Sequence, residues 1–210
     1  MMRIVSKMIL LLFCFMFIGE SYADKLEHLR STRKITTEAE LSAPWYTIQI
    51  VALRESPQNP QFFRDFQNVR EFNCTDGYVR YTVGKYNSFS DAADELSKYK
   101  QRGFDDVFVL NLQRISLVDN NYTSTPDSYK PSSGKDYTIQ VAAYRFPVYL
   151  TEFDQFDEVY EFRMDDNIFR YTVGRFDGTD AIDELKNLRQ SGYPEAYLVP
   201  FDDYAPYRIE

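Results

Sequence analysis

Apolar and polar residues alternate along two short segments that lie about 90 residues apart. In the range 46–54, Ile48, Ile50 and Ala52 fall on one side of an extended chain, and Thr47 and Gln49 fall on the other. Alternation with a period of two predicts a β-strand with one buried face. The range 137–145 repeats this sequence almost unchanged, 91 positions later.

A second motif indicates that whole units are repeated. The sequence Arg-Tyr-Thr-Val-Gly occurs at 80–84 and returns letter for letter at 170–174, which is 90 positions later. This nearly constant offset predicts two copies of one folded unit that differ in loop length. We name residues 45–112 repeat 1 and residues 137–202 repeat 2.

Both repeats have the same order of predicted elements. A short helical segment follows the first strand, at 60–66 or 147–156, and each begins at a proline, a residue well tolerated at a helix start. A β-hairpin follows, with Asp76-Gly77 or Asp166-Asn167 interpreted as a two-residue turn.

The hairpin register predicts which side chains are buried. With two-residue turns, Phe72 lies opposite Tyr81 on the buried face, because directly opposed residues of a sheet share a face. In repeat 2 the same register places Arg163 opposite Arg170 on the other face. Two like charges in that position destabilise a sheet, and an anion above them is one reason to keep both. Neutralisation by Glu161 explains them equally well.

A longer helix and a last strand complete each repeat. Ser88 and Thr179 are the predicted N-caps, and Gly103 and Gly192 follow the helices as C′ residues. The final strands span 107–112 and 196–201. The predicted fold is α+β, with two copies of a β-α-β-β-α-β split βαβ (RNP-like) sandwich. Each copy is a four-stranded antiparallel sheet with helices on one face, and the other face is open.

The segments outside the repeats predict export. Arg3 and Lys7 precede a short apolar run and a small-residue site ending at Ala23, the pattern of a secretory signal peptide over residues 1–23. An uncleaved N-terminal anchor is the alternative. Residues 24–44 are interpreted as a polar tether, 113–136 as a linker and 203–210 as a C-terminal tail. The expected location is the periplasm, with no membrane span after cleavage.

Charge and rare residues narrow the function. The net charge is −8, from 24 basic and 32 acidic residues, which argues against nucleic-acid binding. Cys74 is the one cysteine after residue 23, so no intramolecular disulfide is expected, and we interpret it as a core residue. The single histidine, His28, lies in the predicted tether. We therefore expect no histidine-dependent catalysis, no cofactor, no metal site and no enzyme activity.

The motif Tyr-Thr-Ile-Gln-Val-Ala-Ala-Tyr and the Arg-x-x-Val-Gly strand, within this element order, resemble SPOR (sporulation-related repeat) domains. The resemblance covers 46–112 and 137–201. It implies a non-catalytic peptidoglycan-binding protein that recognises denuded glycan strands across the open sheet face, in cell division or cell-wall remodelling. Departures are Lys85 and Arg175, where the family usually has proline, and Leu53, where it has an aromatic residue.

Carried over to this chain, the resemblance assigns glycan binding to the first-strand glutamines and to an arginine of each third strand. These residues are Gln49, Gln140, Arg80 and Arg170. The hairpin register adds Arg163 to this set. Phe108 and Tyr197 are added because they are expected on the open face, where an aromatic ring can stack on a sugar. The alternative is that other parts of the chain cover these two rings. Arg80 could instead pair with Glu71. A periplasmic protein–protein interaction adaptor that uses the same faces is the alternative function.

Overall fold

The computed structural model describes residues 24–118 and 129–209, so the predicted signal peptide and residues 119–128 of the predicted linker lie outside it. The β-strands are β1 Ile35–Thr37, β2 Tyr46–Leu53, β3 Val69–Asn73, β4 Val79–Tyr86, β5 Phe108–Asn111, β6 Asp136–Tyr144, β7 Val159–Arg163, β8 Phe169–Asp177 and β9 Tyr197–Pro200. The α-helices are α1 Phe89–Gln101, α2 Asp180–Gln190 and α3 Phe201–Tyr204. Single 3₁₀ turns span Pro60–Phe63, Leu112–Arg114, Leu150–Phe153 and Ala205–Tyr207.

All nine strands belong to one mixed sheet, in the order β5-β2-β4-β3-β1-β6-β8-β7, with β9 paired to β6. The prediction of two separate four-stranded sandwiches is therefore wrong. Within each repeat the four strands are antiparallel, but β1 joins the repeats edge to edge. It is parallel to β3 and antiparallel to β6. The first predicted helix of each repeat is only a 3₁₀ turn, so the fold is mostly sheet.

Strand β1 lies inside the segment that was predicted to be a tether. Ile35 is fully buried in the core of repeat 1, beside Val69 and Phe146. Further upstream, Arg30 reaches the core of repeat 2, where its guanidinium forks onto the Glu161 carboxylate at 2.9 and 2.8 Å. Three residues of strand are too short for a periodic signal, which is why the sequence pattern did not predict β1.

Helices α1 and α2 lie on opposite faces of this sheet. Arg145 binds Glu71 on the α1 side, where Tyr81 also hydrogen-bonds that carboxylate. Its neighbour Tyr144 packs against Tyr171 on the α2 side. Because consecutive residues of an extended chain point to opposite faces, the strand that crosses from one repeat to the other exposes a different face to each helix. The prediction of helices on one face therefore fails for the sheet as a whole.

Both hairpins have three-residue loops, so the predicted register is wrong by one residue. Gly77 and Asn167 end these loops with φ of 78° and 58°, the left-handed conformation that closes a three-residue hairpin loop. Phe72 therefore lies opposite Arg80 and Phe162 opposite Arg170. A one-residue shift moves every side chain of a strand to the other face, which brings Glu71 and Glu161 into the helix-covered cores.

The face opposite each helix is covered by the chain that follows the last strand of the repeat. In repeat 2, Phe201 and Tyr204 pack edge-on against Tyr160 and Phe162, with ring centroids 5.2 Å apart in both pairs. In repeat 1, Leu112, Ile115 and Leu117 join Phe72, Cys74 and Leu110 in one cluster. The predicted open faces are therefore closed, and part of the predicted linker and tail belongs to the folded core.

The helix ends agree with prediction in position, and three of the four also have the expected capping geometry. The Ser88 hydroxyl accepts a hydrogen bond from the Asp91 backbone N–H at 3.1 Å, which confirms this N-cap. Gly103 and Gly192 have φ of 92° and 112°, as C′ residues do. Thr179 occupies the predicted N-cap position of α2, but its side chain makes no capping hydrogen bond.

Candidate functional site

The predicted binding residues form two equivalent rows across the sheet. Gln49 of β2 lies between Phe108 of β5 and Thr82 of β4. Gln140 of β6 lies between Tyr197 of β9 and Thr172 of β8 in the same way. Arg80 and Arg170 each stand two positions before the threonine. Directly opposed residues share a face, so each row brings together the glutamine, arginine and aromatic residue of one repeat, on the face opposite its own helix.

The row of repeat 2 is almost entirely buried. Gln140, Arg170 and Tyr197 are 5, 4 and 7% exposed. The Gln140 Oε1 accepts a hydrogen bond from the hydroxyl of Tyr204 at 2.8 Å. The α3 segment thus occupies part of the face that the family resemblance assigns to a glycan.

Arg170 is held by the hairpin loop of its own repeat. Its two terminal nitrogens donate to the Asp166 carboxylate at 3.0 and 2.7 Å. Burial is the largest single influence on the pKa of Asp166 and raises it, but the hydrogen bonds and charge of Arg170, the Ile168 N–H and the charge of Arg145 together bring the net pKa below its ordinary value. Arg163 is not part of this row. It lies opposite Phe169 and donates to Asn167 on the other side of the strand, so the predicted Arg163–Arg170 pair does not form, and Glu161 binds Arg30 instead.

The Asp166–Arg170 pair makes stability depend on pH in a defined direction. The Asp166 carboxyl has a lower pKa in the folded protein than its ordinary value of 3.8. Such a group stabilises the fold at pH values above its ordinary pKa, and this contribution is lost as the pH falls through the folded pKa. We expect Asp166→Asn to lower the free energy of unfolding most at pH 7, and the difference from the original chain to shrink below about pH 4. Urea unfolding between pH 7 and 3 measures this.

Asp76→Asn, which removes the more exposed partner of Arg80, is the matched control with a smaller expected loss. A difference that stays constant with pH would contradict the assignment.

The row of repeat 1 is less completely satisfied. Gln49 is 7% exposed and Thr82 is fully buried. Their Oε1 and Oγ1 atoms have no hydrogen-bond partner among the described residues. Arg80 binds Asp76 at 2.6 Å, so the predicted alternative pairing with Glu71 is wrong. Phe108 is 47% exposed at the sheet edge.

A polar cleft of about 140 Å³ lies beside the row of repeat 2. It lies at the fork where β6 changes its neighbour from β9 to β1. Gln140, Arg170 and Tyr197 line one side, and Thr37 with the residues after β1 lines the other. The sequence could not indicate this cleft, because half of its wall belongs to a segment without a recognisable pattern.

The charged side chains around the cleft are mostly acidic, and some of them lie near a cation. Glu38 lies 3.6 Å from Arg70, and Glu195 lies 3.8 Å from Lys85. Burial raises the pKa of the Glu38 carboxyl, and Arg70 opposes that shift. Four carboxylates, those of Glu38, Glu40, Asp166 and Glu195, line the cleft together with one arginine, Arg170. The cleft is therefore rich in hydrogen-bond acceptors, which suits a ligand that carries hydroxyl and amide donors.

Two buried carboxylates were missed at the sequence level. Glu71 and Glu161 are fully buried, and each accepts a hydrogen bond from the equivalent tyrosine, Tyr81 at 2.8 Å or Tyr171 at 2.6 Å. An arginine from outside the repeat completes each network. The available signal was a Glu-Phe pair that recurs at the repeat offset.

Other kinds of site were sought across residues 24–118 and 129–209. There, no group of three or more His, Cys, Asp or Glu side chains is placed to hold a metal ion. Within the same ranges no helix has the length and apolar character needed to cross a membrane.

Comparison with known proteins adds no further constraint. The chain matches no protein-family model, no curated protein and no solved structure. The resemblance to SPOR domains therefore stays a prediction from the motifs.

Proposed function

We propose that this protein is a non-catalytic peptidoglycan-binding protein of the cell envelope, which takes part of a glycan strand into the polar cleft beside repeat 2. The observation that carries this proposal is the convergence of Gln140, Arg170 and Tyr197 on one cleft. All three belong to the set of residues that the sequence motifs and the family resemblance assign to glycan binding.

The chemistry of the cleft supports a sugar ligand. A denuded glycan presents hydroxyl groups, N-acetyl groups and the lactyl carboxylate of muramic acid. Glutamine donates and accepts, carboxylates accept from hydroxyls, and a tyrosine ring offers an apolar surface to a sugar ring. The volume is below the roughly 300–1,000 Å³ of drug-sized ligand sites, so the cleft fits one sugar unit of a strand.

The covered faces change the expected mode of binding. A strand laid flat across the sheet, as the family resemblance implies, would have to displace Phe201 and Tyr204 in repeat 2, which are 6 and 0% exposed. The proposed contact is therefore local and lies at the fork between β9 and β1. In this mode β1 and the residues after it form the facing wall of the cleft, and repeat 1 adds Asn73 to that wall rather than a second equal site.

A sacculus pull-down tests the proposal. We expect the protein to sediment with amidase-treated sacculi more than with intact sacculi, because amidase produces denuded strands. Gln140→Leu should reduce the sedimented fraction at least about fivefold, the equivalent of one lost hydrogen bond to a buried group. Gln49→Leu changes the matching residue of repeat 1, which does not line the cleft, and should retain binding.

A second variant distinguishes loss of binding from loss of folding. Ser42 is exposed and lines the cleft, so Ser42→Trp should block the cleft without removing a buried group. Thermal unfolding of each variant shows whether the fold is kept. Absence of the original protein from both kinds of sacculi would overturn the proposal and favour the adaptor function.

A further inference from the structure

The cleft contains a gap in the hydrogen-bonded sheet. On one edge of β6, Gln140 is the last residue that pairs with β9, and Tyr144 is the residue that pairs with β1. Residues 141–143 between them have no directly opposed residue on this edge in the described part of the chain. All three line the cleft. All three are half-buried rather than enclosed, so a ligand in the cleft can reach those backbone N–H and C=O groups of this short edge that lack a partner.

Two side chains at the same place also have unused hydrogen-bonding groups. The Thr37 Oγ1 is buried and has no partner among the described residues. Gln140 is 5% exposed, and its Nε2 donates to no partner within residues 24–118 and 129–209, while its Oε1 binds Tyr204. Both residues line the cleft, so a hydroxyl and an amide N–H join the unpaired backbone edge.

We infer that this gap holds a secondary amide with a small acyl group, and that its ligand is the acetamido group of an N-acetylated sugar. A secondary amide carries one N–H donor and one C=O acceptor, the same pair that a neighbouring strand would offer to β6. Its methyl group suits the small side chain of Ala143, which lies directly opposite Arg170 and so shares its face of the sheet. The inference rests on the proposed glycan binding and names the chemical group that the cleft recognises.

The size of the gap favours an isolated amide over a peptide strand. Three residues of β-strand span roughly 10 Å, and β9 and β1 close the gap at its two ends. An added strand that continues in either direction would meet one of them. A sugar ring carries its amide as a short side group and can approach from the open side of the cleft.

The test compares two neutral tetrasaccharides with the same β-1,4 linkage. The N-acetylglucosamine tetramer carries acetamido groups, and the glucose tetramer carries hydroxyls in their place. Isothermal titration calorimetry with the full chain should show affinity for the acetylated tetramer at least roughly tenfold higher, the difference expected when buried polar groups gain or lack their partner. Thr37→Val should remove most of this preference.

Thr82→Val is the matched control, because Thr82 also has a buried Oγ1 without a partner but does not line the cleft. It should leave the preference unchanged. Equal affinity for both tetramers, or none for the acetylated one, would overturn the inference. The proposed function would still stand if the protein sediments with amidase-treated sacculi. Competition by an N-acetylated dipeptide amide at equal concentration would also overturn it and indicate a peptide ligand.

Discussion

Glu161→Ala is expected to lower the free energy of unfolding by about 3–5 kcal/mol, the usual cost of removing one partner of a buried ion pair. Glu161 is fully buried, and it accepts hydrogen bonds from both terminal nitrogens of Arg30 and from the Tyr171 hydroxyl. The Arg30 side chain is 2% exposed. Without Glu161 it keeps Asp24 and the Val148 carbonyl as partners but loses its buried counterion.

Urea unfolding followed by circular dichroism measures this loss. The double variant Arg30→Met/Glu161→Leu is the control, because a buried pair replaced by apolar residues of similar size is often neutral for stability. It should recover most of the free energy that Glu161→Ala loses. A loss below about 1 kcal/mol for Glu161→Ala would contradict the buried network.

Arg145→Met is expected to destabilise the protein to a similar extent, by about 3–5 kcal/mol. The Arg145 guanidinium reaches from repeat 2 into repeat 1, where it donates to both Glu71 oxygens at 2.8 and 2.5 Å. Glu71 is fully buried, so the variant leaves a carboxylate with only the Tyr81 hydroxyl as a side-chain partner among the described residues. The interaction therefore also fixes one repeat against the other.

Arg54→Met is the matched control within the same chain. Arg54 occupies the position of Arg145 in the repeated first-strand motif, but its guanidinium contacts the exposed side of Tyr78. A surface substitution of this kind usually changes stability by about 0.5 kcal/mol or less. Equal losses in the two variants would contradict the interface role of Arg145.

The same unfolding curves test the continuity of the sheet. Because β1 hydrogen-bonds to both β3 and β6, we expect circular dichroism and tyrosine fluorescence to report one coincident transition, as a cooperative unit does. If the Arg145–Glu71 ion pair is needed to couple the two repeats, the Arg145→Met variant will show separate unfolding transitions for repeat 1 and repeat 2. Two separate transitions in the original chain would instead indicate two independent domains.

The candidate site was partly predictable from sequence. The first-strand motif placed Gln49 and Gln140 correctly on the face opposite each helix, because alternation fixes the face of a residue within its own strand. The place of Arg163 was wrong, because it depended on the length of the hairpin loop. Asp-Gly and Asp-Asn are compatible with loops of two or three residues, and one residue more exchanged the two faces of β3 and β7.

The wrong register could not be recognised from burial patterns. In β3 and β7 both faces are covered, so Phe72 and Glu71 are buried on opposite sides of the same strand. The rule that the apolar face is the inner one assumes a sheet with one solvent-exposed face. The chain segments that cover the second faces start at the ends of the predicted repeats, at Leu112 and Phe201, and continue beyond them.

The local and repeated features follow from the amino-acid sequence alone: two related units, most of their strands and long helices, the Ser88 cap, the two terminating glycines and the core position of Cys74. These follow from residue periodicity and from backbone preferences, which act over a few residues. Tertiary structure alone decided the features that join distant parts of the chain. The three-residue strand β1 is stable only because two neighbours complete its hydrogen bonds. Arg30 is buried and Arg145 is half-buried because each binds a buried carboxylate, Glu161 or Glu71, that lies 131 or 74 residues away in the chain. The cleft exists only where these long-range contacts bring β1 beside β6.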